Sequence, residues 1–226
     1  MMEVIGIIGA MGSEVQLLKS YLENCKETTV AGRTFFEGSI HQKKVVLVCS
    51  GIGKVNSAIT AQILIDHFQV SAIINTGIAG GAGNVHIRDI VVSTETVYHD
   101  MDAEILSHSY PFVKFFESDT VLTNLAIKVC KDNHITVHAG RIATGDQFVS
   151  EASLKEEIIK HVSPMAIEME GCSIAHTCNA NGIPFVVVRS ISDNADDGAE
   201  MSYDTFEQLA ANDAAKIVIA MLDAME

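Results

Sequence analysis

The sequence predicts an α/β fold on three observations. Residues Phe185 to Asp193 (Phe-Val-Val-Val-Arg-Ser-Ile-Ser-Asp) set four consecutive apolar residues before a polar end, the pattern of a strand buried on both faces of a helix-covered parallel sheet. Glu3 to Ala10 and Ser71 to Thr76 are further apolar runs of strand length, and glycines follow closely after each. A chain of 226 residues, 48% of them hydrophobic, can bury a large core, and it is expected to form one α/β domain spanning residues 1–226.

In chain order, Glu3 to Ala10 reads as the first buried strand. The next segment, Met11-Gly-Ser-Glu-Val-Gln-Leu-Leu, reads as a helix capped by Ser13, with Val15, Leu17, Leu18 and Leu22 turned inward. Gly6, Gly9 and Gly12 are spaced three apart, which breaks the G-x-G-x-x-G dinucleotide fingerprint. Thr28–Val30, Arg33–Ile40 and Lys44–Cys49 suggest a small antiparallel meander leading into Ser50-Gly-Ile-Gly-Lys-Val, where two glycines precede a helix over Lys54 to His67. The spacing of a P-loop is absent there. Ser71 to Thr76 ends in the dense glycine turn Gly77-Ile-Ala-Gly-Gly-Ala-Gly, and Asp89 to Val97 has strong β propensity. His99, Asp100 and Asp102 fit a structural or subunit-contact role better than a metal site. Residues 105–117 are aromatic-rich without periodicity, as in a loop packed on a partner subunit. A helix over Thr120 to Asn133, a strand over Thr136 to Ala143, the loop Thr144-Gly-Asp-Gln-Phe-Val and a helix over Ser153 to His161 follow. Met165 to Glu168 leads to a helix reaching Asn181, and a last helix from Ser202 to Met225 presents Phe206, Leu209, Ala210, Ile217, Met221 and Leu222 to the core.

Composition excludes several functions. A net charge of -14 with no cluster of Lys or Arg argues against nucleic acid. The five cysteines, Cys25, Cys49, Cys130, Cys172 and Cys178, are odd in number, lie mostly among apolar neighbours and form no close C-x-x-C pair. They read as reduced core thiols rather than disulfides or zinc ligands. No basic leader precedes Val4 to Ala10, and no apolar run nears the roughly 20 residues that span a bilayer. A soluble cytoplasmic protein without membrane attachment is expected.

Ligands in open α/β sheets bind beyond the carboxyl ends of strands, which makes Arg189, Ser190, Ser192 and Asp193 candidates for contact with substrate. Ser and Asp are also favoured at such turns for local reasons. If residues 168–170 are extended, Glu168 and Glu170 share one face, an uncommon pair of carboxylates beside a buried strand.

Together Gly9-Ala-Met, Ser50-Gly-Ile-Gly-Lys-Val, Asn75-Thr-Gly-Ile-Ala-Gly-Gly, Tyr98-His-Asp, Gly145-Asp-Gln-Phe, Glu168-Met-Glu and Arg189-Ser-Ile-Ser-Asp resemble the 5'-methylthioadenosine/S-adenosylhomocysteine nucleosidases of the nucleoside phosphorylase superfamily. The likeness covers nearly the whole chain. It implies a three-layer αβα sandwich with a mixed, partly closed central β-sheet, a homodimer, and hydrolysis of the N-glycosidic bond of 5'-substituted adenine nucleosides without metal or cofactor. By that resemblance Asp193 matches the proton donor to adenine N7, Glu14 the residue acting on water, and Glu170 the carboxylate on the ribose hydroxyls. Phe148, Val149, Ser192, Ala79 and Gly80 match the adenine slot. Met11, Ile52, Met169 and Tyr203 match the wall along the ribose and its 5' substituent, and Glu168 and Arg189 belong to the matching motifs. Departures are Gly12 and Ser13 where acidic residues are usual, Ile78 where Ser is usual, and Ala103-Glu-Ile-Leu-Ser-His in the region that reaches the neighbouring subunit's 5' pocket. The alternatives are a hydrolase of the aminodeoxyfutalosine type, a phosphorylase of the same fold, and a non-catalytic nucleoside-binding relative. Glu14 sits in the loop where a phosphorylase places an arginine, and its charge repels phosphate.

Overall fold

The computed structural model describes residues 3–196 and 199–225. Ten strands form one sheet with both parallel and antiparallel neighbours. At its centre lies β5 (Ala72–Gly81), which pairs in parallel with β1 (Ile5–Gly9) and with β10 (Phe185–Asp193). Beyond β1 the sheet continues through β4 (Lys43–Cys49), β3 (Arg33–Ile40) and β2 (Glu23–Val30), the expected antiparallel meander. On the other side β10 pairs with β6 (Ile90–Tyr98), β6 with β8 (Val137–Thr144), β8 with β9 (Ala166–Glu168), and β9 again with β5. These five strands close a ring, and the short β7 (Phe116–Glu117) is appended to β6.

Alternate residues of the buried strands feed two cores, which is why the strands carry unbroken apolar runs. Val186 and Val188 of β10 face one core with α1 (Gly12–Ser20), α4 (Thr120–Asp132) and α7 (Ala199–Ala224). Phe185, Val187 and Ile191 face the other with α2 (Lys54–Asp66) and α6 (Gly171–Asn181). A third, smaller core lies under α5 (Ala152–Val162). The result is the expected three-layer arrangement with a partly closed sheet. No helix among the described residues is long and apolar enough to cross a membrane.

Several local expectations change. The Gly77–Gly81 segment is not a turn but the second half of β5, and none of its glycines has a positive φ. Residues 103–108 form a short helix, α3 (Ala103–His108), capped by the Asp102 carboxylate, which accepts from the Glu104 amide. Ser13 does not cap α1: the N-cap is Met11, and the Ser13 hydroxyl instead donates to Glu207 of α7 at 2.6 Å. Leu209 is turned to solvent, Cys25 lies exposed on β2, and all five cysteines are free thiols.

Candidate active site

The carboxyl ends of β1, β9 and β10 meet the second half of β5 around a cavity of about 510 Å³, within the range of small-ligand sites. Of the residues expected at the site, Met11, Glu14, Ile52, Ala79, Gly80, Phe148, Val149, Glu168, Met169, Glu170, Ser192, Asp193 and Tyr203 all line it. Arg189 does not. It is fully buried behind the wall, because β10 continues as strand to Asp193 and turns this side chain into the protein rather than towards a ligand.

Burial of a guanidinium requires compensating charge. Arg189 Nη2 donates to Asn75 Oδ1 (2.7 Å), to Glu168 and to Glu170 Oε2 (3.4 Å), while Nη1 lies 3.8 Å from Glu14 Oε1. One cation thus gathers three carboxylates from separate parts of the chain. Gly77 makes the approach possible, since a β-carbon there would collide with both Arg189 Nη1 and Glu14 Oε1. Among the described residues Nε and Nη1 of Arg189 have no hydrogen-bond partner.

Each carboxylate is also fixed by the backbone. Glu14 Oε2 accepts from the amides of Ala10 (2.6 Å) and Met11 (3.0 Å), and its Oε1 accepts from Ile78 (3.0 Å). Those contacts explain why the β1–α1 turn needs no cap from Ser13. Glu168 Oε2 accepts from the amides of Glu170 (3.0 Å) and Gly171 (2.7 Å), and Thr144 donates its hydroxyl to the other oxygen. Glu170 Oε1 accepts from the Gly53 amide at 2.9 Å. Glu168 and Glu170 do converge, but Glu170 is the N-cap of α6 rather than part of an extended segment, and the shared cation brings the pair together.

Burial raises the pKa of Glu14 against the pull of Arg189 and three amides. Burial, reinforced by the negative charges of Glu168 and Glu14, pushes Glu170 up to about 8. At the other end of the cavity Asp193 is held by neutral groups: its Oδ1 accepts from the Ala195 amide (2.7 Å), and Ser192 donates its hydroxyl to Oδ2 (2.8 Å). Burial raises the Asp193 pKa too. Gly80 leaves room for this carboxylate, whose Oδ1 would stand 2.9 Å from a β-carbon at that position.

Phe148 and Tyr203 meet edge to face at the mouth, with ring centroids 5.5 Å apart, and the Tyr203 hydroxyl donates to Met11 Sδ at 3.2 Å. Sequence reading passed over Ala10, Gln147, Ile167, Ala195 and Asp204 as wall residues and noted Ile78 only as a departure. Ala10 and Gln147 lie within motifs already singled out, so chain proximity could have found them. Asp204 follows Tyr203 and Ile167 precedes Glu168, so the same proximity points to them. Among the described residues the wall holds five carboxylates (Glu14, Glu168, Glu170, Asp193, Asp204) and no Lys, Arg or His. No group of three or more His, Cys, Asp or Glu side chains among the described residues is arranged to hold a metal ion. Such a site can accept a proton at one end and donate one at the other, and it favours a substrate on which positive charge develops.

Comparison with known proteins agrees with this geometry. The model of the phosphorylase superfamily matches residues 4–223. A 5'-methylthioadenosine/S-adenosylhomocysteine nucleosidase of Halalkalibacterium halodurans is 44% identical over 227 residues, covering 98% of each chain. An aminodeoxyfutalosine nucleosidase of Helicobacter pylori strain J99 is 37% identical over 98% of this chain and 99% of its own. The structure of a Neisseria meningitidis 5'-methylthioadenosine/S-adenosylhomocysteine nucleosidase in complex with methylthio-immucillin-A superposes with a TM-score of 0.94. It is 35% identical, and the match covers 99% of this chain and 100% of that one.

Proposed function

The chain belongs to the phosphorylase superfamily, and we propose that within it Glu14, Glu170 and Asp193 divide the work of cleaving an adenine nucleoside with water. The protein is an N-glycosyl hydrolase of adenine nucleosides. As the N-glycosidic bond breaks, electrons pass to the purine and the sugar becomes cationic. Asp193, whose pKa burial raises, donates a proton to N7 as the bond electrons move onto the base. Glu14 takes the proton of the water whose oxygen bonds to C1', and Glu170 holds the ribose hydroxyls. Phe148 and Val149 bound the base; Met11, Ile52, Met169 and Tyr203 bound the sugar and its 5' substituent.

The single observation that carries this reading is the make-up of the wall, five carboxyl groups with no Lys, Arg or His among the described residues that line it. A phosphate nucleophile would find no basic side chain in the wall to bind it, whereas carboxyl groups beside the sugar stabilise the positive charge that develops there. The exposure of Ile52 in the wall assigned to the 5' substituent supports a tail that lies towards the mouth, where the choice between a methylthio, a homocysteinyl and an aminodeoxyfutalosine tail is made. Ile105, Tyr110 and Phe112 also turn outward, and they support a homodimer in which residues 103–116 approach the neighbouring cavity. Free thiols throughout support a cytoplasmic location.

Incubation with methylthioadenosine, adenosylhomocysteine, aminodeoxyfutalosine, adenosine and inosine, with and without phosphate, tests the reading. Adenine and a free 5-substituted ribose, formed at a rate independent of phosphate, are the expected products. A ribose 1-phosphate product overturns it.

A further inference from the structure

The 145–149 loop carries Phe148 and Val149 into the cavity, yet Asp146, between them and β8, points away from the cavity towards α2. Its Oδ1 accepts from the Lys54 amide at 2.8 Å, one residue from the Gly53 amide that holds Glu170. The N-terminus of α2 therefore grips two carboxylates at once, one from the base loop and one from the sugar end. The fit is close: Gly53 has φ +98°, and a β-carbon there would stand 3.0 Å from Asp146 Oδ1. Lys54 Nζ completes the clasp, donating to Asp100 Oδ2 at 2.6 Å and lying 3.7 Å from Asp146 Oδ2. Asp100 Oδ2 in turn accepts from the Asp146 amide at 2.9 Å. On its other side α2 is fixed to α6, the helix that follows Glu170, by the Ser57 and Ser173 hydroxyls 2.7 Å apart.

We propose that Asp146 is a positioning residue that sets the base slot against Glu170 by docking the 145–149 loop on the N-terminus of α2. The inference rests on the assignment above of Phe148 and Val149 to the base and Glu170 to the sugar. Within the wall the two halves meet at the mouth, where the half-exposed Phe148 touches Tyr203, whereas Asp146 joins the base loop to the support of Glu170 from outside the cavity. A nucleoside gains over free adenine only if both halves are held at the spacing of its own bond, so their spacing governs transition-state binding more than base binding.

The test uses the full chain with Asp146→Ala and Asp146→Asn, measuring kcat, KM, and affinities for free adenine and a nonhydrolysable methylthioadenosine analogue. Asp146 is half exposed, so both variants are expected to fold. Asp146→Ala should lower kcat and nucleoside affinity about 10-fold each while changing adenine affinity less than about 3-fold. Asp146→Asn keeps an oxygen for the Lys54 amide and should restore all three to within about 3-fold. Equal losses of adenine and nucleoside affinity, an alanine variant with unaltered kcat/KM, or an asparagine variant as impaired as the alanine one would each overturn the proposal. Failure of the unaltered enzyme to release adenine would instead strike at the assignment of the site.

Discussion

The two ends of the cavity solve one problem by opposite means. At the sugar end three carboxylates crowd around one buried guanidinium, and at the base end a single carboxylate sits among neutral donors. Both ends raise carboxyl pKa values, but the causes differ. Glu170 is raised by burial and by like charges that Arg189 only partly offsets, whereas Asp193 is raised mainly by burial, opposed by one hydroxyl and one amide. The sugar end can therefore be upset by removing a cation, and the base end only by altering the acid itself or its hydrogen bonds.

The largest expected effect is that of Arg189→Met. Three buried carboxylates would lose their shared cation, and breaking a buried ion cluster from one side costs about 3–5 kcal/mol. Chemical denaturation should find the variant destabilised by that amount and inactive; near-native stability would mean that Arg189 does not organise this end. Next comes Asp193→Asn, which should lower kcat by about 10²- to 10⁴-fold through loss of the proton donor. Affinity for a nonhydrolysable nucleoside should fall far less, and near-native turnover would remove the acid from the base end.

A third prediction separates the ends by pH. The folded-state pKa of Glu170 is raised to about 8 from an ordinary 4.5, so its contribution to stability is fully present below about 4.5 and is lost as pH rises towards 8. Glu170→Gln removes that titration, so the variant should gain on the unaltered protein between pH 5 and 8.5 in urea denaturation. A pH-independent difference between the two would contradict the account of crowded like charges. The smallest effect is expected from Ser192→Ala. Its hydroxyl holds the Asp193 pKa down, and a hydrogen bond to a charged group is worth about 1.5–3 kcal/mol. Without it, the alkaline limb of the kcat/KM profile should move up by about one to two pH units. An unmoved limb would assign that limb to another group.

Legibility in the sequence followed the same division. Asp193 and its strand were readable because β10 announces itself as an apolar run with a polar end, and its bounds, Phe185 to Asp193, match the structure. Arg189 is the residue the sequence misplaces towards ligand, since no local pattern reveals that its charged partners come from the first turn of α1 and the β9–α6 junction, 175 and about 20 residues away in the chain. The glycines of β5 read as a turn because absence of a side chain signals either a positive φ or a close approach, and only tertiary structure shows which. Helix α3 reads as loop in the sequence because six residues do not display a helical period.

The five-strand ring carries a consequence for how the protein is made. β5 is synthesised by residue 81, yet its partner β10 begins at residue 185, so more than 100 residues must emerge before the ring can close. Such distant pairing incurs the loop-closure entropy before any contact is returned, which slows folding. Glu14 leaves the ribosome early, and its buried counter-charge, Arg189, arrives only with β10, so burial of that carboxylate as an ion pair waits for the last strand. Burial of the sugar end and closure of the ring are then one event, and a chain cut short before β10 holds the site's glutamates without the cation that gathers them.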